Sequence, residues 1–313
     1  MVNFVLESIK KNVSLAEYTT FRIGGKAKYF FEVEKKEDLI NVLKWAKKEK
    51  IPFFILGGGS NILVSDKGFD GLVIRMKNNN YKIKNTKIFA EAGVLLSKLV
   101  SESINNNLKG LEWAVGIPGT IGGAVVGNAG AYGHSISENV IRVRAIDAEG
   151  KVFNFKKKDC HFSYRESIFK KKKELVILDV ELKLQRDKDS LAKEKMKEIL
   201  NERIKKIPKF PSAGSFFKNY IVRGNETDYL FRKFPELKEK IKGGKLPVGY
   251  LIEQCGLKGK KIGDAQISNE HANFIINIGK ASSSDVLKLA EICKNKVKEK
   301  FGISIEEEIR YIE

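Results

Sequence analysis

Two glycine-rich blocks restrict what this chain can fold into more than any other feature of its sequence. The first, GGGSN at 57–61, directly follows the apolar run IPFFIL, and the second, GIPGTIGGAVVGNAGAYG, occupies 116–133. Glycine loses more backbone freedom on folding than other residues, so such runs indicate positive φ angles or a ligand close to the backbone. Backbone N–H groups exposed in a glycine-rich loop bind phosphate groups well. One block alone is consistent with an ordinary turn, but two favour an extended ligand such as a dinucleotide.

The first block matches neither common nucleotide-binding glycine pattern. A P-loop requires Lys and then Ser or Thr after its last glycine, and a Rossmann loop requires GxGxxG at the start of a helix. Here Asn61 is followed by ILVSDKGFDGLVI, which has the pattern of strand and turn rather than of helix. The sequence therefore predicts a pyrophosphate site formed by loops.

Periodicity predicts a mixed α and β chain with a boundary after residue 207. We expect strands at 51–56, 72–76, 87–94, 139–147, 151–155 and 175–184, and helices at 38–50, 96–107 and 190–206. The third helix is expected to be capped by Asp189 and to bury a stripe of Leu191, Met196, Ile199, Leu200 and Ile204. Pro208 and Pro211 end this helix and mark the boundary.

The last third predicts a second mixed segment. Its helices are expected at 250–255 and 285–301, and its strands at 265–267, 273–278 and 303–313. Ser283 or Ser284 is expected to cap the long helix, and Gly302 is expected to end it.

The net charge of +19, from 58 Lys and Arg against 39 Asp and Glu, leaves a nucleic-acid-binding protein without catalysis as an alternative. The lysines are spread along the chain, however, and the longest run, Lys170 to Lys173, is typical of an exposed hairpin or loop. The excess charge suits a small polyanionic ligand equally well.

Neither a metal centre nor a membrane segment is predicted. The histidines and cysteines lie far apart and lack ligand spacing: His134, His161, His271, Cys160, Cys255 and Cys293. No window reaches the roughly 18 apolar residues of a spanning helix, and the N-terminal apolar run is too short for a signal peptide. We expect a cytoplasmic protein with reduced cysteines.

Several motifs, taken in order, resemble one enzyme family. They are TTFRIGG at 19–25, LGGGSNILVSD at 56–66, the second glycine block, YRES.F at 164–169, SAGSFFKN at 212–219, and the pair Glu308 and Arg310. Together they are similar to the UDP-N-acetylenolpyruvoylglucosamine reductases, the MurB flavoenzymes of peptidoglycan synthesis, over essentially the whole chain. The short interval between Arg165 and Ser215 resembles the type II subclass, which lacks an inserted loop. One departure is Tyr220, where the family usually has proline.

The resemblance implies an α+β fold with a two-part FAD-binding domain of the vanillyl-alcohol oxidase/p-cresol methylhydroxylase type and a C-terminal α+β substrate-binding domain. The FAD-binding domain would cover 1–207, with subdomains of about 1–75 and 76–207, and the substrate-binding domain would cover 208–313. The implied reaction uses non-covalent FAD and NADPH to reduce UDP-N-acetylglucosamine enolpyruvate to UDP-N-acetylmuramate. We expect a monomer that binds neither nucleic acid nor membranes.

Three residues match catalytic positions of the family. Arg165 would hold the substrate carboxylate and the negative charge that develops when hydride is added to the neighbouring carbon. Ser215 would protonate the resulting carbanion. Glu308 would assist as a hydrogen-bond donor or acid. Glu306 remains an alternative, because in a strand it shares a face with Glu308.

The resemblance also implies two sets of binding residues. The FAD contacts would be Gly57, Gly58, Gly59, Ser60, Asn61, Gly119, Thr120, Gly122, Gly123 and Arg310, and the substrate contacts Lys218, Asn219, Gln254 and Lys261. An FAD oxidase of the same superfamily, acting on an alcohol or hydroxy acid, is an alternative that uses both glycine blocks. It leaves YRES.F and SAGSFFKN without a role.

Overall fold

Two compact units make up the chain in the computed structural model, which describes residues 7–222 and 226–313. The first unit contains residues 7–13, 26–59 and 69–205, and the second contains 14–25, 60–68 and the described residues from 206 onward. Two N-terminal segments therefore belong to the second unit, and the predicted functional division at 207 stays a prediction. The N-terminal apolar run lies largely at 1–6, outside the described residues.

The helices and strands follow one another as an irregular α+β succession. The helices are α1 (Lys36–Lys48), α2 (Leu96–Asn105), α3 (Ile121–Val126), α4 (Ile168–Lys171), α5 (Ala192–Lys206), α6 (Glu226–Lys233), α7 (Leu237–Lys240), α8 (Val248–Gln254) and α9 (Ser283–Phe301). The strands are β1 (Lys10–Ser14), β2 (Lys26–Val33), β3 (Phe53–Leu56), β4 (Ile62–Val64), β5 (Phe69–Met76), β6 (Tyr81–Lys84), β7 (Lys87–Glu91), β8 (Leu108–Lys109), β9 (Gly130–Ala131), β10 (His134–Ser135), β11 (Val140–Ile146), β12 (Val152–Lys156), β13 (Val176–Lys183), β14 (Gln185–Arg186), β15 (Ser212–Ser215), β16 (Tyr220–Ile221), β17 (Lys245–Leu246), β18 (Lys261–Ile262), β19 (Ala265–Ile267), β20 (Phe274–Asn277) and β21 (Arg310–Ile312).

The first unit contains a four-stranded and a five-stranded sheet, besides the two-stranded pairs β9 with β10 and β8 with β14. The first glycine block follows a strand of the four-stranded sheet. One sheet has the order β1-β2-β5-β3, in which β5 lies parallel to both β2 and β3, and the first glycine block begins where β3 ends. The other has the order β12-β11-β13-β7-β6, with antiparallel pairing throughout. The hairpin predicted from 139–147 and 151–155 is confirmed as β11 and β12.

Helix α1 shows why the local sequence folds as it does. Leu39, Val42, Leu43 and Ala46 recur at helical spacing, and all four are fully buried in the core of the first unit. Acidic residues occupy its first turn and lysines its last, as the helix dipole favours. The helix thus packs one apolar face on the unit and leaves its charged face in solvent.

The second unit has a four-stranded sheet of order β15-β20-β19-β18, covered by α9. The Ser282 hydroxyl accepts the N–H of Asp285 at 3.0 Å, and the Asp66 carboxylate accepts the N–H groups of Ser283 at 2.7 Å and Ser284 at 3.2 Å. Gly302 ends the helix with φ +72°. Strand β21 pairs in parallel with β4, which joins the C-terminal segment to the segment after the first glycine block.

Four expectations are corrected. The Asp187 carboxylate, and not Asp189, accepts the N–H of Ala192 at the start of α5, at 3.0 Å. Leu191 and Ile204 are 58% and 64% exposed, so they do not belong to a buried stripe. The cap of α9 is Ser282 rather than Ser283 or Ser284. The last strand is only Arg310–Ile312, because the preceding residues bond irregularly to 216–218.

The lysine run is partly helical rather than wholly a loop, since Lys170 and Lys171 end α4. Among the described residues, no helix combines the length and the apolar character needed to cross a membrane.

Candidate active site

The two glycine blocks meet within the first unit. A Cβ atom added at Gly58 would lie 2.6 Å from the Cα of Gly119, and one added at Gly57 would lie 2.7 Å from the Thr120 hydroxyl oxygen. Gly59 and Gly119 have φ of +64° and +123°. Backbone-to-backbone packing of this closeness requires glycine. The two stretches that the sequence singled out independently therefore form one surface.

The second block is fixed to its surroundings by a cap and by backbone hydrogen bonds. The Thr120 hydroxyl accepts the N–H of Gly123 at 3.3 Å, and the Gly119 carbonyl accepts the N–H of Leu96 at 3.0 Å. Gly122 is buried, and a Cβ there would lie 2.8 Å from that of Ala92. Packing alone thus explains Gly122, whereas Gly58 and Gly123 are exposed.

This glycine surface fits an anionic dinucleotide. It offers exposed backbone at Gly58 and Gly123, side chains are kept out by the packing, and neither 56–61 nor 116–123 contains an acidic residue. The remaining predicted FAD contacts, Ser60, Asn61 and Arg310, belong to the second unit. Arg310 is half-buried on β21, and burial lowers the pKa of its guanidinium.

Arg165 also contacts the second glycine block. Its Nη2 donates to the carbonyl oxygen of Gly130 at 2.8 Å, and its guanidinium carbon lies 5.3 Å from the ring centroid of Tyr164. Its φ is +59°, a left-handed conformation that non-glycine residues rarely adopt, and Lys170 Nζ donates to its carbonyl oxygen at 2.9 Å. A strained residue held by several contacts is typical of functional sites.

Two further hydrogen bonds tie the YRES segment to the same block. The Ser167 hydroxyl donates to the carbonyl of Val126 at 2.8 Å, and Asn128 Nδ2 donates to the carbonyl of Ser163 at 2.8 Å. The sequence predicted neither contact, because nothing local distinguishes Asn128 from a turn residue. The two motifs form one structural element of the first unit.

Ser215 lies in the second unit at the end of β15, opposite Phe274 of β20. The preceding Gly214 has φ +78°, and no atom lies within 4 Å of where its Cβ would be. The following Phe216 and Phe217 are each only 1% exposed. Ser215 is thus held between an open glycine and a buried aromatic pair.

Glu308 is bonded through its backbone to the segment that carries Ser215. Its N–H donates to the carbonyl oxygen of Phe216 at 2.8 Å, and its own carbonyl accepts Asn61 Nδ2 at 3.2 Å. The N–H of Arg310 in turn donates to the carbonyl oxygen of Asn61 at 3.0 Å. The structure therefore brings together, in one unit, residues predicted from three separate motifs.

The neighbouring glutamates have different surroundings. Glu307 accepts a hydrogen bond from the Tyr311 hydroxyl at 2.8 Å and pairs with Lys294 at 3.1 Å, and burial raises the pKa of Tyr311. The Glu306 side chain is 76% exposed and lies 3.4 Å from Lys218 Nζ. Glu308 is half-buried. Exposure thus distinguishes Glu308 from Glu306, which spacing alone could not do.

The predicted substrate residues all lie in the second unit. Lys218 follows the Ser215 segment, and Asn219 Oδ1 accepts the N–H of Val248 at the start of α8, at 3.2 Å. Gln254 is exposed at the end of α8, and Lys261 is exposed on β18.

No cluster suited to a metal ion occurs within 7–222 and 226–313. Burial raises the pKa of Cys160 and of Cys293 to about 12, so both thiols stay protonated near neutral pH.

Comparisons with known proteins agree with these observations. Residues 205–312 match the family model described as UDP-N-acetylenolpyruvoylglucosamine reductase, C-terminal domain, and residues 27–156 match the FAD binding domain. The UDP-N-acetylenolpyruvoylglucosamine reductase of Clostridium novyi (strain NT) is 38% identical over 312 residues, which cover 98% of this chain and 92% of the relative. That of Caldanaerobacter subterraneus subsp. tengcongensis is 39% identical over 307 residues, with coverage of 96% and 92%.

The fold of this chain is also similar to that of a solved structure of the same family. The crystal structure of UDP-N-acetylenolpyruvylglucosamine reductase from Thermus caldophilus superimposes with a TM-score of 0.78 at 32% identity, over 97% of this chain and 100% of that one. The predicted α+β class, with an FAD-binding part and a C-terminal part, is confirmed.

Proposed function

Because the chain belongs to the UDP-N-acetylenolpyruvoylglucosamine reductase family, we propose that it reduces UDP-N-acetylglucosamine enolpyruvate to UDP-N-acetylmuramate with NADPH. It is an FAD-dependent oxidoreductase of peptidoglycan synthesis. One observation carries the assignment of residues: the 2.8 Å hydrogen bond from the N–H of Glu308 to the carbonyl of Phe216. It joins the two motifs to which the family resemblance gives acid chemistry.

Bound FAD would supply hydride transfer from NADPH to the vinyl carbon of the substrate. The first unit would hold its pyrophosphate against the backbone of 57–59 and of Gly119, Thr120 and Gly123. The packing of Gly58 on Gly119 supports this role, since it keeps side chains out of the surface. Ser60, Asn61 and Arg310 are proposed as further contacts to the same cofactor.

Arg165 is proposed to bind the substrate carboxylate. Hydride addition leaves negative charge on the adjacent carbon and its carboxylate, and a planar guanidinium can stabilise both through two parallel hydrogen bonds. The bond to Gly130 and the contact with Tyr164 support this role, because they fix the orientation of the guanidinium before substrate arrives.

Ser215 is proposed to donate a proton to that carbon, and Glu308 is proposed to assist as a hydrogen-bond donor or acid. A serine hydroxyl is a weak acid in water and serves only against a strongly basic carbon held close to it. A rigid backbone at Ser215 is therefore more important than its intrinsic acidity. The buried aromatic pair that follows it provides such rigidity.

Lys218, Asn219, Gln254 and Lys261 are proposed to bind the UDP-sugar. Lys218 is favoured among them, because its side chain is only 19% exposed and directly follows the Ser215 segment. We further propose a cytoplasmic monomer that binds neither nucleic acid nor membranes, in keeping with a reaction on NADPH and a nucleotide sugar.

The visible absorption spectrum tests the function. Flavin bands should be present in the purified protein, bleach when NADPH is added without oxygen, and return when the UDP-enolpyruvyl sugar is added. A protein that does not take up FAD would contradict the proposal. Bands restored rapidly by oxygen but not by the sugar would favour the oxidase alternative.

A further inference from the structure

Asn273 makes an unusually complete set of hydrogen bonds to the residues that follow Ser215. Its Oδ1 accepts the N–H of Phe217 at 3.0 Å, and its Nδ2 donates to the carbonyl of Phe217 at 2.9 Å. Its own carbonyl accepts the N–H of Phe216 at 2.7 Å. Asn273 is only 3% exposed, so these bonds are shielded from water.

These bonds satisfy the backbone of the chain directly after the regular pairing of β15 with β20 ends. The pairing of β15 with β20 runs from Ser212 to Ser215 with an irregularity and ends at Ser215. Beyond that point the backbone N–H groups of Phe216 and Phe217 are satisfied by Asn273 alone among the described residues. Asn273 thus supports the chain directly C-terminal to Ser215, with its main-chain carbonyl at Phe216 and its side-chain amide at Phe217.

The same support extends to Glu308. The carbonyl of Phe216, whose N–H is bonded to Asn273, accepts the N–H of Glu308. A shift of the Phe216–Phe217 segment would therefore move the backbone of Glu308 and that of Ser215 together. Asn273, through its main-chain carbonyl at Phe216 and its side-chain amide at Phe217, thus supports the segment that links two residues to which the proposed function gives acid chemistry.

Asn273 is itself held in place by a hydrogen bond to His271. His271 Nδ1 accepts the N–H of Asn273 at 3.2 Å, and its ring lies 5.0 Å from that of Phe274. The neighbouring Gly249 leaves room for the imidazole, since a Cβ there would lie 3.1 Å from its Cε1.

We propose that Asn273 is the positioning residue that holds Ser215 and Glu308 in register for protonation of the substrate. The proposal rests on the proposed function. It assigns Asn273 no contact with substrate or FAD. Misplacement of a reacting group by about 1 Å costs on the order of 10² in rate, so we expect an effect of that size on the step that needs Ser215.

The experiment compares Asn273→Asp with Asn277→Asp, each loaded with FAD. The aspartate carboxylate keeps the size and the acceptor but, unlike the amide, has no N–H to donate to a carbonyl. Asn277 is the matched control: it is 4% exposed at the end of β20, the strand that Asn273 precedes. It accepts the N–H groups of Gly279 and Ala281 at 3.1 Å each and donates to the carbonyls of Phe21 at 3.3 Å and Arg22 at 3.5 Å. Both variants lose the amide donor to backbone carbonyls, but only the Asn273 side chain is bonded to the residues that follow Ser215.

Stopped-flow absorbance measures the two half-reactions separately. We expect flavin bleaching by NADPH to be unchanged in Asn273→Asp, and recovery of the bands with the UDP-enolpyruvyl sugar to be about 10²-fold slower, with a larger solvent deuterium effect on that step. Asn277→Asp should stay within a few-fold of the wild type in both half-reactions, with a similar loss of thermal stability. If Asn273→Asp does not fold, Asn273→Gln, which keeps the amide and displaces it by one methylene, is measured in the same way.

The outcomes separate the two proposals. Recovery at the wild-type rate in the Asn273 variant, or equal slowing in both variants, would overturn the positioning role and leave the proposed function intact. Failure of the wild-type protein itself to bleach and recover would instead remove the proposed function.

Discussion

Glu308 donates its backbone N–H to the carbonyl oxygen of Phe216 at 2.8 Å, although the two residues lie 92 positions apart in the sequence. Their neighbours Phe217 and Glu307 form an isolated bridge. The contact brings the C-terminal glutamate beside the segment that carries Ser215. Because Asn61 also donates to the carbonyl of Glu308 at 3.2 Å, the glutamate is held from both sides within the second unit. Its backbone is thus fixed independently of any ligand.

Replacement of Ser215 by alanine tests the proton donor. We expect FAD binding and bleaching by NADPH to be retained, and recovery with the UDP-enolpyruvyl sugar to slow by about 10² to 10⁴, the usual loss when a positioned acid is removed. Stopped-flow absorbance measures both steps. Ser304→Ala, at an exposed serine of the same unit, is the control and should behave as the wild type. Equal recovery rates in the two variants would assign the proton to another group.

Three glutamine substitutions test which glutamate takes part. Glu308→Gln should lower steady-state turnover by about 10² or more, because the group proposed to assist protonation is lost. Glu306→Gln should leave turnover nearly unchanged, since its side chain is 76% exposed. Glu307→Gln should mainly lower the free energy of unfolding, by about 0.5–1 kcal/mol, through the lost pair with Lys294. A large loss of turnover only in the Glu306 variant would overturn the assignment.

Local sequence patterns predicted most elements but not how distant segments join. Amphipathic spacing located α1 and α9 to within a few residues, and the glycine blocks were recognised as one ligand-binding feature. The pairing of β4 with β21 links the segment after residue 61 to the C-terminus, and no periodicity within either strand signals its partner. Pairing between strands that are distant in sequence depends on the packing of the whole unit, which local patterns do not contain.

The same limit explains the errors at single residues. Asp187 replaces the predicted Asp189 as the cap of α5, because Ser190 takes a φ of +55° and adds a turn before the helix. Leu191 and Ile204 have the right chemistry for a core but lie on exposed surface. Asn273 carried no local signal, since a single asparagine before a strand is common in turns. Its importance is visible only once its partners at 216 and 217 are known.

Alanine at two glycines tests whether the glycine blocks need close packing. Gly58→Ala should lower the free energy of unfolding by about 1–3 kcal/mol, because its Cβ would lie 2.6 Å from the Cα of Gly119. Gly123→Ala is the matched control: its Cβ would lie 3.6 Å from the Thr120 hydroxyl oxygen, an ordinary contact, and alanine favours helix by up to about 1 kcal/mol. Urea unfolding of the FAD-free proteins compares them. Equal destabilisation would contradict the packing argument.

His271 predicts how stability depends on pH. Burial is the main cause that lowers the pKa of its imidazole below the ordinary value of 6.5. Its own backbone hydrogen bond and Glu253 raise this pKa by smaller amounts, whereas Lys258 and Lys206 lower it. As the pH falls through about 6.5 the unfolded chain takes up a proton that the folded protein does not, so the contribution of His271 to stability is present above that pH and is lost below it. Protonation at Nδ1 would also remove the acceptor for the N–H of Asn273.

We therefore expect the urea concentration at the unfolding midpoint to decrease as the pH is lowered from 7.5 to about 5.5. The decrease should be smaller in His271→Gln, because glutamine does not titrate. His134→Gln, at an exposed histidine of the first unit, is the matched control for replacement of an imidazole by an amide. Identical pH profiles in the wild type and in His271→Gln would show that other groups set the acid sensitivity of this unit.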